Sequence, residues 1–180
     1  MDQKNDFEKM KLTKASTDKV ACNIYMDSFG IGKVKIQIFE YATKKSIESY
    51  LNFEELALIA TDCMTGRLIK ELEAGQKNLG YKGSPSSPNY NGAPESRIIS
   101  LGKSGEKIFV NMTRGKGQLG PNGTIKPDGA PDLKLSIGIP VDKFRAMMIY
   151  AYDCVKAYLV RSINQTVKEI DEKKAAAKSN

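Results

Sequence analysis

The chain has 180 residues, 19.8 kDa and 41% hydrophobic content, which is enough for a sizeable core and too apolar for a disordered protein. Its 28 Lys and Arg against 21 Asp and Glu leave a formal charge of +7 and favour an anionic partner such as nucleic acid. Three cysteines with no CxxC spacing exclude a disulfide framework or a zinc site, and no apolar run reaches signal-peptide or membrane-spanning length, so a soluble cytoplasmic protein without a membrane partner is expected.

In chain order, residues 1–19 are polar, with Phe7, Met10 and Leu12 thinly spread, and read as a flexible N-terminal arm. Val20 to Asp27 alternates, with Val20, Cys22, Ile24 and Met26 inward and Asn23 and Tyr25 outward. The turn Phe29-Gly-Ile-Gly32 then leads into Lys33-Val-Lys-Ile-Gln-Ile-Phe-Glu-Tyr41, the most strictly alternating stretch of the chain. Val34, Ile36 and Ile38 share one face of that strand, and Lys33, Lys35, Gln37, Phe39 and Tyr41 share the other. Cations, an amide and rings make poor core and a good platform for nucleic acid, because rings stack on any base while ammonium groups neutralise the backbone. The same pattern also suits the solvated face of an ordinary half-buried sheet.

Ser46 to Leu51 reads as a third strand, and Asn52 with Glu55 has capping-box spacing for a helix whose buried stripe is Phe53, Leu56, Ile59, Ala60 and Cys63. Residues 74–95, rich in Gly, Pro, Ser and Asn, read as a linker. A second hairpin follows from Arg97 to Thr113, with Lys107, Phe109 and Asn111 outward and Ile108, Val110 and Met112 inward. Residues 114–132 read as a long Gly/Pro loop or flexible hairpin carrying Arg114, Lys116 and Lys126. Leu133, Leu135, Ile137 and Ile139 alternate in a strand that enters a last helix, with Asp142 as its N-cap. That helix holds an apolar stripe as far as Ile170, longer than one domain needs, and so predicts self-association as a homodimer or higher oligomer; residues 171–180 read as a charged tail.

Phe53, Asp62 and Cys63 recur as Phe144, Asp153 and Cys154 at a common offset of 91, and each half runs hairpin, further strand, helix. The expected fold is therefore α+β, a single domain over residues 20–170 made of two repeats, 20–73 and 96–170, each of antiparallel strands followed by a helix, the last one long.

These two units, with Leu133-Lys-Leu-Ser-Ile-Gly-Ile-Pro-Val-Asp-Lys-Phe144 running straight into Met147-Met-Ile-Tyr-Ala-Tyr152, resemble the Whirly and positive-cofactor-four group of single-stranded DNA-binding proteins. The resemblance covers about residues 20–165 in topology and implies a ββββα-ββββα fold, dimers formed through helices, and single-stranded DNA held on sheet faces and edges by stacking and Lys/Arg contacts. It implies binding roles for Tyr25, Lys33, Lys35, Phe39 and Tyr41 in the first hairpin and for Arg97, Lys107, Phe109 and Arg114 in the second; Gln37, on the same face of the first hairpin, and Lys116, in the Gly/Pro segment, are further candidate nucleic-acid contacts. The lysine-glycine-lysine-alanine-type motif of the plant members is missing, Gly115-Lys116-Gly117 being its faint echo, which leaves assembly beyond a dimer open. Small basic proteins of this style are similar to those of phages and mobile elements.

A chain with no histidine lacks the commonest general base, the Ser-His and Cys-His pairings and most metal sites, so no catalytic residue, metal or cofactor is expected. Gly102-Lys103-Ser104 reads as a turn, not a phosphate loop, since position 97 is Arg and a strand follows it. Two functions remain open. One is sequence-tolerant binding of single-stranded DNA, or RNA, in replication, recombination or transcription. The other is a protein-interaction or regulatory module that docks an acidic partner.

Overall fold

The computed structural model describes residues 10–178. Four antiparallel strands come first: β1 (Lys11–Ser16), β2 (Val20–Tyr25), β3 (Lys33–Glu40) and β4 (Ser46–Asn52), ordered β1-β2-β3-β4 in one sheet. Two helices follow, α1 (Phe53–Thr65) and α2 (Arg67–Ala74), then β5 (Lys77–Ser84), β6 (Glu95–Ser104), β7 (Lys107–Leu119), β8 (Ile125–Pro127), β9 (Leu133–Pro140) and α3 (Val141–Lys178). In the second sheet β7 is central. It pairs with β6 on one side, and on the other with β9 over Lys107 to Arg114 and with β8 over Gly117 to Leu119, while β5 flanks β6. The architecture is α+β, antiparallel sheets followed by a long C-terminal helix.

Period-two alternation explains which faces meet. Cys22, Ile24, Val34, Ile36, Ile38, Ile47 and Leu51 from the first sheet and Ile99, Leu101, Ile108, Val110, Met112, Leu135, Ile137 and Ile139 from the second are all buried in one cluster. α1 adds Leu56, Ile59 and Cys63, and α3 adds Phe144, Met147, Met148, Ala151 and Val155 at helical spacing. Phe29, in the one-turn helix between β2 and β3, meets Phe53 at 5.4 Å and Tyr158 at 5.3 Å between ring centroids, both edge-on, and these rings close the end of the core. Glu55 accepts from the Asn52 backbone N–H at 2.8 Å, and the Asn52 side chain accepts from the Glu55 backbone N–H in return, so the expected capping box is present at the start of α1.

Several expectations need correction. Residues 11–16 are not part of a flexible arm but form β1, with Leu12 half-buried and Ala15 buried; residues 1–9 lie outside the described residues. A register shift between Lys11 and Thr13 breaks the alternation, which hides the strand from a period-two reading. Residues 74–95 are not a plain linker, since Lys77–Ser84 is β5 and joins the second sheet. Residues 114–132, expected as a loop or hairpin, take the hairpin form: β7 runs on to Leu119 and folds back through β8. The charged tail continues α3 as far as Lys178. Met26, expected inward, is exposed because β2 ends at Tyr25, and Asp142 lies inside the first turn of α3 because β9 enters the helix directly.

Candidate nucleic-acid interface

On the side of the first sheet away from the core, the register aligns Lys11, Tyr25, Lys35 and Tyr50 in one row, Lys14, Asn23, Gln37 and Glu48 in the next, and Ser16, Ala21, Phe39 and Ser46 in a third. The middle of this face is bonded to itself. Gln37 accepts from Asn23 Nδ2 and from the Tyr25 hydroxyl, each at 3.2 Å, and donates to Glu48 at 2.9 Å. Lys35 is buried, ion-paired with Asp27, and its Nζ lies 4.7 Å from the centroid of the Tyr25 ring. Burial works to lower the pKa of this lysine, but the Asp27 bond and the charges of Glu48 and Asp27 prevail and raise it, so its ammonium is spent inside the sheet. Tyr25, Lys35 and Gln37 are therefore the floor of the face. Phe39 and Tyr41 stand at its margin, half-buried and exposed, edge-to-face at 5.7 Å, with Lys14 Nζ 5.8 Å from the Tyr41 ring.

A second set of basic residues, Lys33, Lys45, Arg97, Arg114 and Lys126, gathers along β4, the edge strand of this sheet. Arg97 and Arg114 are register partners on β6 and β7, on the face that carries Ile99 and Met112, one row beyond the core. Like charges directly opposite on a ladder repel. Here they are answered by Glu95, bonded to Arg97 Nε at 2.5 Å, and by Asp132, 3.9 Å from Arg114 Nε. Arg97 Nη1 also donates to the Glu48 backbone carbonyl at 3.2 Å, which ties the second sheet to the open edge of β4.

Two hollows lie on either side of this tie. The larger, an open cleft of about 780 Å³, is lined by Lys33, Tyr50 and Asn52 of the first sheet and by Arg97, Thr124 and Lys126 of the second unit. The smaller, about 350 Å³, is lined by Lys45, Ser46, Arg114, Asp132 and Leu133. Tyr50 lines the larger hollow with Lys33, Arg97 and Lys126; the smaller holds Lys45 and Arg114 beside Asp132, and Phe39, the register partner of Ser46, stands on the neighbouring strand. Among the described residues no acidic side chain pairs with Lys33, Lys45 or Lys126. The seven residues of β4 span about 20 Å, the length of track between the two ends.

The remaining expected residues fall elsewhere. Lys107 and Phe109 lie on the opposite face of the second sheet, away from the seam, with the Phe109 ring seated over Gly138, where an added β-carbon would come within 3.0 Å of two ring atoms. Lys116 is exposed and paired with Asp128 at 3.1 Å. Sequence reasoning missed Tyr50, Lys45 and Glu95; the alternation of Ser46, Glu48 and Tyr50 could have found the tyrosine, whereas the cleft exists only once the two sheets meet. The paired Asp62 and Asp153 are not equivalent: Asp62 is buried and bonded to Lys77 at 2.9 Å and Arg67 at 2.7 Å, while Asp153 is exposed beside Lys156 at 2.7 Å. Among the described residues no group of three or more metal-ligating side chains is assembled, and no helix is long and apolar enough to cross a membrane. No protein-family model, no curated protein and no solved structure matches this chain.

Proposed function

We propose that the chain is a sequence-tolerant single-stranded DNA-binding protein that acts without catalysis in replication, recombination or transcription in the cytoplasm. The observation that carries this reading is the cleft at the edge of β4, where Lys33, Arg97 and Lys126 surround Tyr50. Cations around a half-buried ring at the rim of a cleft suit a strand whose phosphates are neutralised while a base stacks, with no base-edge readout required. Phe39, Tyr41, Lys45 and Arg114 continue the track to the other hollow, and Lys107 and Phe109 offer a second basic and aromatic patch. The succession of four antiparallel strands and a helix, followed by a second antiparallel sheet and a helix, is compatible with the duplicated Whirly-like arrangement expected from the sequence.

We also propose a homodimer through α3. Beyond Tyr158 this helix carries Val160, Ile163, Val167 and Ile170, all exposed, at intervals of three, four and three residues. That is the a/d spacing of a two-stranded seam, and a second copy of the same helix supplies the matching knobs and holes.

The test is fluorescence anisotropy with a labelled thymidine oligonucleotide, a duplex competitor and an RNA of equal length, at low and moderate salt. Single-strand preference that weakens with salt supports the reading, and absence of binding at both salts overturns it. Tyr50→Ala is expected to lose about 1 to 3 kcal/mol of binding, the usual value of one stacked base. Lys126→Ala is expected to weaken all sequences alike and reduce the magnitude of the salt slope by about 0.7, one phosphate contact on a single strand. Preference for RNA would change the substrate and keep the site. A folded dimer indifferent to every oligonucleotide would favour the protein-interaction reading.

A further inference from the structure

Glu95, at the start of β6, is fully buried. An ionised carboxylate in that position is costly unless its oxygens are answered by donors. Oε2 accepts from Ser87 Oγ at 2.8 Å and from Asn89 Nδ2 at 2.8 Å, and Oε1 accepts from Arg97 Nε at 2.5 Å. Burial works to raise its pKa, but the bonds from Asn89, Ser87 and Arg97 prevail and hold it below the ordinary value, so it is charged at neutral pH. The segment between β5 and β6 is shaped around it. Ser87 Oγ accepts from the Asn89 N–H at 3.3 Å while donating to Glu95, which sets the single turn Pro88–Tyr90 beside the carboxylate.

Arg97 is thus gripped twice, at Nε by Glu95 and at Nη1 by the β4 backbone, in two different sheets. A planar guanidinium fixed on one edge has its other N–H groups fixed as well. Its side chain remains 24% exposed, and it lines the cleft.

We propose that Glu95 is a positioning residue for this cleft: by holding Arg97 Nε from behind, it presents the outer edge of the guanidinium to a phosphate of a single strand lying between the sheets. The proposal rests on the nucleic-acid reading of the cleft and adds to it a preformed anion fork, in contrast to the mobile ammonium groups of Lys33 and Lys126. A role confined to pinning residues 85–94 would change stability and leave the salt slope alone.

The experiment is a salt titration of thymidine-oligonucleotide binding for the full chain and for Glu95→Gln, Arg97→Ala and the double variant, with folding checked by circular dichroism and thermal melting. Glu95→Gln is expected to weaken binding and reduce the magnitude of the slope by about 0.7, as Arg97→Ala does, and the double variant to bind no worse than Arg97→Ala alone. An unchanged slope in Glu95→Gln, or losses that add in the double variant, overturns the positioning role and leaves the cleft reading intact. Failure of the unaltered chain to bind at any salt overturns both. If Glu95→Gln does not fold, the unaltered chain decides by NMR. The Arg97 Nε–Hε resonance, identified by its loss in Arg97→Lys, is expected to be sharp at neutral pH and to move on saturation with oligonucleotide, and a resonance that stays in place overturns the proposal.

Discussion

Two lysines two residues apart on one strand do different work. Lys33 borders the cleft without an acidic partner among the described residues, whereas Lys35 lies under the surface between Asp27 and the Tyr25 ring. Lys35→Ala is therefore expected to destabilise the fold by about 1 to 3 kcal/mol in chemical denaturation, the penalty for stranding a buried partner, with the salt slope of binding equal to that of the unaltered chain. A reduced slope with unchanged stability would reverse this assignment. Alternation was enough to place both lysines on one face. It could not tell that this face was already bonded to itself, because Asp27 follows the end of β2 and Glu48 comes from β4, and only the register brings them to Lys35 and Gln37.

At the level of elements, legibility followed apolar content. β3, β4, α1 and the first half of α3 each carry a clear apolar period, and the sequence places them well. β5 carries little, Lys77-Asn-Leu-Gly-Tyr-Lys-Gly-Ser84, with a register shift between Asn78 and Tyr81. Its glycines read as loop punctuation, yet Gly83 is there for close approach, since a side chain on it would run into the Glu95 carbonyl. α3 shows the converse, a period that outlasts its packing on this chain. Ile163→Lys combined with Val167→Lys is expected to give a monomer by light scattering, with helix content and the Phe29, Phe53 and Tyr158 cluster intact. A dimer that survives both charges would place the contact elsewhere.

For the whole molecule, two polar ties between the units, added to their shared apolar core, run through buried carboxylates. Asp62 of α1 holds Lys77 of β5, and Glu95 holds the arginine that grips β4. Burial works to raise both pKa values, and hydrogen bonds, from Lys77 and Arg67 for Asp62 and from Asn89, Ser87 and Arg97 for Glu95, hold both below their ordinary values of 3.8 and 4.5. A carboxylate depressed in the folded state contributes stability that is complete above its unfolded value and is lost as pH falls through its folded one. Thermal melting is thus expected to be nearly flat from about pH 5.5 to 8 in this histidine-free chain and to fall steeply below about pH 4.5; a midpoint that holds to pH 3 would mean that neither tie matters.

The tie through Arg97 also guards an edge. The unpaired backbone of β4 is a template on which another chain could add a strand, and in the folded protein it is crossed by the second sheet, with the Glu48 carbonyl occupied by a guanidinium. At the other end of that sheet, β1 lies against α3. Protonating Glu95 would remove the charge that holds Arg97 Nε and so weaken one of the contacts that cover this edge. The expected consequence is that the chain becomes more prone to strand-paired aggregation as acid weakens that cover.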